Sequence, residues 1–201
     1  MSRPKSQSRA ALLDNALTTF WEMGYHVVSM GDLVRETGVS RGGIYSDFKG
    51  KRELFHACLE HYQDTFVGPS LAPIEADGAG IAAIAEYLNT LILAVERSDK
   101  GSIGCLVVNT SAQLDPNDTE THALLEKHFK RQENAFHAAI SNENNISKKL
   151  SETEVSALAQ FVTTSIQGLA ARFRNTTDIK PLRQYADSLM QILKVQLHND
   201  Q

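Results

Sequence analysis

The 201-residue sequence has few cysteines and no long apolar run. Its two cysteines, Cys58 and Cys105, lie far apart and give no disulfide framework. No segment approaches the roughly 18 consecutive apolar residues that a membrane-spanning helix needs. The N-terminal segment lacks the apolar core and cleavage site of a secretory signal. These absences predict a soluble protein of the cytoplasm.

Signatures of catalysis and of metal binding are also lacking. There is no Gly-x-Ser-x-Gly elbow, no Gly-rich phosphate loop and no evident base to activate Cys105. Three histidines, His122, His128 and His137, share one segment without the i, i+4 spacing of a zinc pair, and we expect them to be partly exposed. The sequence therefore predicts neither an enzyme nor a protein with a cofactor or a metal ion.

Strand-like alternation is missing, whereas helical periodicity covers most of the chain. Leu12, Ala16 and Phe20 recur at helical spacing until Gly24 ends the first segment. Similar patterns predict an all-α fold of about nine helices. Their approximate spans are 8–23, 29–37, 40–48, 51–66, 80–97, 105–114, 115–141, 151–169 and 179–198. Breaks are expected at Gly68–Gly80, at the SDKGSIG turn (98–104) and at NENNISKK (142–149).

Charge is distributed unevenly between two parts of the chain. Residues 1–52 contain eight Lys/Arg and five Asp/Glu, whereas the remaining residues contain twelve and nineteen. Phosphate binding requires local cations and not a basic protein as a whole. The asymmetry predicts a basic domain at 1–52 and an acidic domain with a different task at 53–201.

The stretch Ser29–Leu54 contains the parts of a helix-turn-helix. Ser29 can cap a supporting helix, Gly38 supplies a tight turn, and Ser40 can cap a short second helix. The Lys-Gly-Lys-Arg cluster at 49–52 then offers cations to phosphates. This order of elements predicts a three-helix domain that binds DNA.

This region resembles the TetR family of bacterial one-component repressors. The resemblance is close from Arg9 to Phe55, and beyond Gly68 it depends on helix count and apolar pattern. It implies a DNA-binding transcriptional regulator, a homodimeric repressor that a small molecule or an electrophile releases from a palindromic double-stranded operator. The shared positions are Phe20, Gly24, Tyr25, Ser29, Gly38, Val39, Ser40, Gly43, Tyr45, Phe48, Lys51 and Leu54.

The second helix of the motif has residues suited to DNA. Ser40 leaves the helix N-terminus open to an anion, and Arg41 can reach a base edge or a phosphate. Gly42 and Gly43 each cost about 1 kcal/mol of helix propensity against alanine, which indicates close approach of the backbone to the duplex. The predicted DNA contacts are Ser29, Met30, Ser40, Arg41, Gly42, Gly43, Tyr45, Ser46, Lys49 and Lys51.

Several residues near this helix have alternative interpretations. Tyr45 can donate to a phosphate or pack in the core, whereas Phe48 is expected in the core. Arg35 is expected to be solvated. Asp47 departs from the family, in which many members have His or an aromatic residue at this position. A carboxylate here cannot contact a phosphate favourably, because the two negative charges repel each other. It can accept from cytosine N4, pair with Arg41 or Lys51, or cap the next helix.

The last two predicted helices are expected to form the dimer interface, since the family resemblance implies a four-helix bundle with two helices from each subunit. Gly168 permits close helix approach, and the last helix has an apolar stripe. The alternative is that these stripes face the monomer core. Half-sites roughly 34 Å apart favour the dimer, because two-fold symmetry must match them.

Two interpretations of Cys105 stay open. The segment 102–114 resembles a subgroup that includes repressors of electrophile-detoxifying enzymes, in which a cysteine near this place reacts with the inducer. A helix N-terminus would stabilise a Cys105 thiolate, but apolar neighbours favour an inert thiol. Cys58 is expected in the core.

A reversible ligand pocket is the alternative sensor. Trp21 is expected outside it, because Trp21 lies near the DNA-binding domain. The residues named for ligand or redox sensing are Cys105, Asn109, Gln113, Phe129 and Phe161; Tyr87, His128, Phe136 and Gln167 are further candidates by position. A DNA-binding or interaction module without an inducer response is the competing function, and a cysteine enzyme is a third.

Overall fold

The computed structural model describes residues 8–97, 102–174, 176 and 178–198. Over these residues the chain forms nine helices and no strand, so the all-α prediction is confirmed. Residues 98–101 of the predicted SDKGSIG turn lie outside the described part. The helices are α1 Arg9–Met23, α2 Met30–Thr37, α3 Arg41–Phe48, α4 Lys51–Glu75, α5 Ile81–Glu96, α6 Leu106–Ser111, α7 Thr119–Ser147, α8 Glu152–Phe173 and α9 Lys180–His198.

Hydrogen bonds between nearby residues fix the start of α2, and a glycine fixes its end. The Ser29 hydroxyl accepts a hydrogen bond from the Asp32 amide (3.1 Å), and the Asp32 carboxylate accepts one from the Ser29 amide (2.9 Å). The Ser29 hydroxyl also donates to this carboxylate (2.6 Å), and its bond, together with those from the Ser29 amide and Arg35, lowers the pKa of Asp32 to about 2. Gly38 then ends α2 in the left-handed conformation, at φ 67°. The turn between α2 and α3 therefore follows from residues close in sequence.

The core beneath α1–α3 is closed by the first half of α4. The rings of Phe20 and Phe55 meet edge to face at 5.0 Å, and both side chains are buried. Leu33 and Ile44 are fully buried from the other side. The aromatic contact between α4 and α1 thus closes the core on which the helix-turn-helix packs.

Helix α4 is longer than predicted, and the break expected at Gly68–Gly80 is confined to residues 76–80. Its segments Lys51–Tyr62 and Gly68–Glu75 are joined without interruption by a π-helical turn, Gln63–Val67. The wider turn accommodates Pro69, whose ring and missing N–H would interrupt a regular α-helix. The helix therefore runs on to Glu75.

The boundaries of α7 also differ from the prediction. Asp118 caps the helix by accepting from the Thr121 amide (3.1 Å), so the predicted cap at Asp115 is wrong by three residues. The helix continues past Ser141 to Ser147. After the helix ends, the side-chain oxygen of Asn144 accepts a hydrogen bond from the Leu150 amide (2.9 Å), so this amide of the following turn is paired.

Helix α9 has two apolar faces. Leu182, Leu189, Leu193 and Leu197 are buried within the monomer. Tyr185, Ile192 and Val195 are 44%, 43% and 53% exposed on another side, and Phe161 of α8 is 42% exposed. The predicted stripe on the last helix is therefore divided between the core and the surface.

Candidate DNA-binding surface and effector cavity

Helix α3 presents polar side chains outward and buries its apolar ones. Arg41, Tyr45, Ser46 and Lys49 are exposed, whereas Ile44 and Phe48 are buried. The Ser40 hydroxyl accepts from the Gly43 amide (3.2 Å) at the N-terminus of the helix. Lys49 ends the helix with φ 63°. Arg41 and Lys49 thus place cations at the two ends of one exposed face.

The two glycines of α3 have different surroundings. A Cβ atom on Gly43 would lie 2.9 Å from Cγ1 of Val39, so packing within the domain favours glycine at this position. A Cβ atom on Gly42 would meet nothing within 4 Å. Close approach of a duplex therefore stays a prediction for Gly42, whereas contact with Val39 is enough to explain glycine at position 43.

The remaining predicted contacts flank α3. Ser29 is exposed and Met30 is half-buried at the start of α2. The Lys51 ammonium lies 4.6 Å from the centre of the Tyr25 ring, and burial lowers the pKa of this lysine. Lys51 is therefore held at the junction of α3 and α4 by a cation–π contact.

Sequence reasoning missed one cation near this surface. The Arg9 guanidinium lies 4.8 Å from the centre of the Phe48 ring, so the start of α1 reaches the end of α3. The signal was weak, because the two residues lie far apart in sequence. By contrast, Arg52 pairs with Glu120 at 3.2 Å and Arg35 with Asp32 at 2.8 Å.

Asp47 is exposed on α3. Helix α4 begins after Gly50 without a side-chain cap, so Asp47 does not cap it. Within the described part of the chain, no ion pair joins Asp47 to Arg41 or Lys51. Of the alternatives for this residue, acceptance of a hydrogen bond from a base is the one that stays open.

A cavity of about 390 Å³ lies between α1 and the helices that follow. This volume is in the range of roughly 300–1,000 Å³ that is typical of small-molecule sites. Its wall is mainly aromatic and aliphatic. The aromatic lining residues are Trp21, Tyr62, Phe66, Tyr87, His128 and Phe173, and polar ones include Cys105, Gln132 and Gln167.

Contrary to the sequence expectation, Trp21 belongs to this cavity wall. Its ring meets the rings of Tyr62 and Phe66 edge to face at 5.0 and 5.3 Å. Its Nε1 donates a hydrogen bond to the carbonyl oxygen of Gly104 (3.0 Å). Arg174 also donates to the carbonyl oxygen of Glu22 (3.5 Å). Helix α1 is thus bonded directly to the segments around the cavity.

Cys105 lines the cavity as an uncharged thiol. Burial raises the pKa of the thiol, and this effect exceeds the opposing effect of the Tyr62 hydroxyl, which donates to Sγ at 3.5 Å. The helix that Cys105 precedes has only six residues. The thiolate expected from a helix N-terminus is therefore not favoured. Cys58 is buried in the core.

His128 is buried, which corrects the expectation of partial exposure. Its side chain is 2% exposed, and Nδ1 lies 3.0 Å from Nε2 and 3.1 Å from Oε1 of Gln63. Nε2 has no partner among the described residues. Burial lowers the pKa of His128 to about 4, so the ring is neutral at pH 7.

The other residues named for sensing are scattered. Asn109 and Gln113 line a narrow crevice against α1, and the Gln113 carbonyl contacts His26 Nε2 at 3.0 Å. Phe129 is half-buried beside the core, and Phe161 lies on the outer face of α8. Of the five residues named, Cys105 is the one that lines the large cavity.

The described part of the chain shows neither a membrane-spanning helix nor a cluster of metal ligands. None of its helices has both the length and the apolar character needed to cross a membrane. It contains no group of three or more His, Cys, Asp or Glu side chains arranged to hold a metal ion.

Comparisons with known proteins identify the first part of the chain. The family model "Bacterial regulatory proteins, tetR family" matches residues 12–58. The HTH-type transcriptional repressor ComR of Escherichia coli is 27% identical and is matched over 94% of this chain and 90% of its own length. The uncharacterized regulator YezE of Bacillus subtilis is 26% identical over 96% and 100%.

Solved structures share the whole fold. A cysteine mutant of the TetR family regulator CifR, complexed with 26bp operator DNA, gives a TM-score of 0.82 at 21% identity. The alignment covers 94% of this chain and 98% of that one. The reduced form of Escherichia coli NemR gives a TM-score of 0.77 at 18% identity, over 90% and 94%. Residues 12–58 thus carry the helix-turn-helix region of the bacterial tetR regulatory family, and the chain as a whole has the fold of TetR family regulators.

Proposed function

We propose that the chain is a homodimeric repressor that binds a palindromic operator through α2 and α3 and leaves it when a small molecule fills the cavity. The division into a DNA-binding domain, 1–52, and a regulatory and dimerisation domain, 53–201, is part of this proposal. The observation that best supports this proposal is that Trp21 of α1 forms part of the cavity wall. A bound effector would therefore touch the helix that supports the helix-turn-helix.

The exposed face of α3 supports the DNA-binding half of the proposal. Arg41 and Lys49 offer cations at opposite ends of the helix, and Tyr45 offers an exposed hydroxyl between them. Contacts of this kind position a protein on phosphates, and an arginine can also read guanine. Gly42 leaves open space where the backbone can approach the duplex.

The outer faces of α8 and α9 support the dimer. Exposed Phe161, Tyr185, Ile192 and Val195 provide apolar area, and a Cβ atom on Gly168 would meet nothing within 4 Å. Exposed apolar patches mark interaction surfaces. A second copy packed on these helices would form a four-helix bundle and pair two recognition helices.

Operator binding is tested on the DNA upstream of the chain's own gene by fluorescence anisotropy. Arg41→Ala and Lys49→Ala are expected to weaken binding, and each should reduce the salt slope by about one if a phosphate contact is lost. Arg35→Ala is the matched control, since Arg35 pairs with Asp32 and Glu36. Absence of specific binding to this DNA and to a genomic fragment library would contradict the proposal.

The cavity supports a reversible effector more than an electrophile, because the Cys105 thiol is held in its neutral form. A module without an inducer response is the alternative. If this alternative holds, no molecule bound in the cavity will dissociate the operator complex. Adding the probes described below to that complex therefore distinguishes an effector-controlled repressor from such a module.

A further inference from the structure

The chemistry of the cavity wall restricts what it can bind. Among the described lining residues there is no lysine or arginine, and Glu22 is the one carboxylate. A carboxylate or phosphate group in this cavity would lose its hydration without gaining a cation, which is costly. The wall therefore selects against anions.

Aromatic rings dominate one side of the cavity. Trp21, Tyr62 and Phe66 contact each other with ring centres 5.0 to 5.5 Å apart. Flat rings gain offset and edge-to-face contacts with such a wall beyond simple burial. A planar aromatic ligand is thus favoured over a saturated one of equal size.

His128 supplies a polar group that the protein itself leaves unused. Gln63 occupies Nδ1, so the ring is oriented, whereas Nε2 is buried and has no partner among the residues that the structure describes. A buried polar atom in this state gains free energy from any ligand that completes its hydrogen bonding. Because the tautomer decides whether Nε2 donates or accepts, a hydroxyl group, which can do both, fits either case.

The π-helical turn of α4 contributes residues to both the polar and the aromatic parts of this site. Residues Gln63–Val67 form this turn, which places Gln63 against His128 while Phe66 and Val67 line the cavity. Such turns cost regular hydrogen bonding and are frequent at functional sites. The irregularity thus serves both the polar group and the aromatic wall.

We infer that the effector is an uncharged aromatic molecule with a hydroxyl group, and that this hydroxyl bonds to His128 Nε2. The inference rests on the proposed role of the cavity and adds the chemical class of its occupant. His128 acts here as a specificity-determining residue.

The test uses four probes of similar size on the full-length protein without DNA: 2-naphthol, naphthalene, 2-naphthoate and decahydro-2-naphthol. Isothermal calorimetry should show 2-naphthol binding about tenfold more tightly than naphthalene and decahydro-2-naphthol, and 2-naphthoate binding most weakly. Equal affinities for 2-naphthol and naphthalene, or tightest binding of 2-naphthoate, would overturn the inference. This comparison needs no variant.

A matched pair of variants then assigns the hydroxyl contact. His128→Leu should abolish the preference for 2-naphthol over naphthalene, whereas His122→Leu, at an exposed position of the same helix, should preserve it. A preference that survives in His128→Leu contradicts the contact. Operator binding is measured separately, so failure of repression and failure of the ligand class give different results.

Discussion

The indole Nε1 of Trp21 and the carbonyl oxygen of Gly104 are joined by a 3.0 Å hydrogen bond that links α1 to the segment before α6. Gly104 has φ 72°, and a Cβ atom there would lie 3.1 Å from the carbonyl oxygen of Ala170. Glycine at this position therefore lets the loop pack closely on α8. Trp21 thus belongs both to the cavity wall and to α1, the helix that packs on α2 of the helix-turn-helix.

Trp21→Phe should keep a ring in the wall but remove this bond. We expect a loss of about 1 kcal/mol in the free energy of unfolding. Operator affinity should stay within about twofold, while release by 2-naphthol should weaken about fivefold or more, a coupling of about 1 kcal/mol. Urea unfolding and anisotropy titrations measure these effects. Phe66→Leu changes the same wall without this bond, so equal loss of release in both variants would argue against coupling through Gly104.

The two glycines of α3 should respond differently to replacement by alanine. Gly42→Ala adds a methyl group in open space and should stabilise the fold by up to about 1 kcal/mol, but should lower operator affinity because the duplex approaches there. Gly43→Ala gains the same propensity yet contacts Val39, so its melting temperature should be below that of Gly42→Ala. Unchanged operator affinity in Gly42→Ala would count against close backbone approach.

Charge placed on the outer face of α9 should separate the proposed dimer. Ile192→Glu introduces a carboxylate among exposed apolar residues and should shift the protein to a monomer, with operator affinity reduced at least about tenfold because two half-sites are no longer bound together. Analytical ultracentrifugation gives the mass. Lys194→Glu, at another exposed position of the same helix, is the control. A dimer unaffected by Ile192→Glu would place the interface elsewhere.

His128 should make the fold sensitive to mild acid. Its pKa is about 4 in the folded chain, against an ordinary value of 6.5. Between these values the unfolded chain binds the proton and the folded chain does not, so stability falls as pH falls from 6.5 to 4. The loss from this group reaches up to about 3 kcal/mol.

Urea unfolding of wild type, His128→Leu and His122→Leu across pH 4 to 7 measures this effect. The wild-type and His122→Leu curves should fall together, and His128→Leu should fall less steeply. Parallel curves for all three proteins would mean that His128 titrates normally in the folded state.

Cys105 should react slowly with alkylating agents near neutral pH, because burial raises the pKa of its thiol. Iodoacetamide labelling followed by mass spectrometry should show little modification of the folded protein, and less still with 2-naphthol present. Cys105→Ser should respond to 2-naphthol as wild type does. Rapid alkylation that releases the operator, and that Cys105→Ser abolishes, would instead establish an electrophile sensor.

Elements that depend on neighbouring residues could be read from the sequence. The Ser29–Asp32 capping box, the Gly38 turn and the box at Ser151 and Glu154 involve partners three residues apart, so their physics is local. The helix-turn-helix and the outward polar residues of α3 follow from such signals. The helix break predicted near Pro69 was wrong, because a π-helical turn accommodates this proline within α4.

The helical class and the helix-turn-helix motif could be predicted from the residues alone, since periodicity, caps and a fixed motif are all short-range. The cavity and its link to α1 depend instead on tertiary packing. Trp21 meets Gly104 across 83 positions and Gln63 meets His128 across 65. Such pairs leave no periodic trace, because packing of whole helices, and not local backbone preference, brings them together.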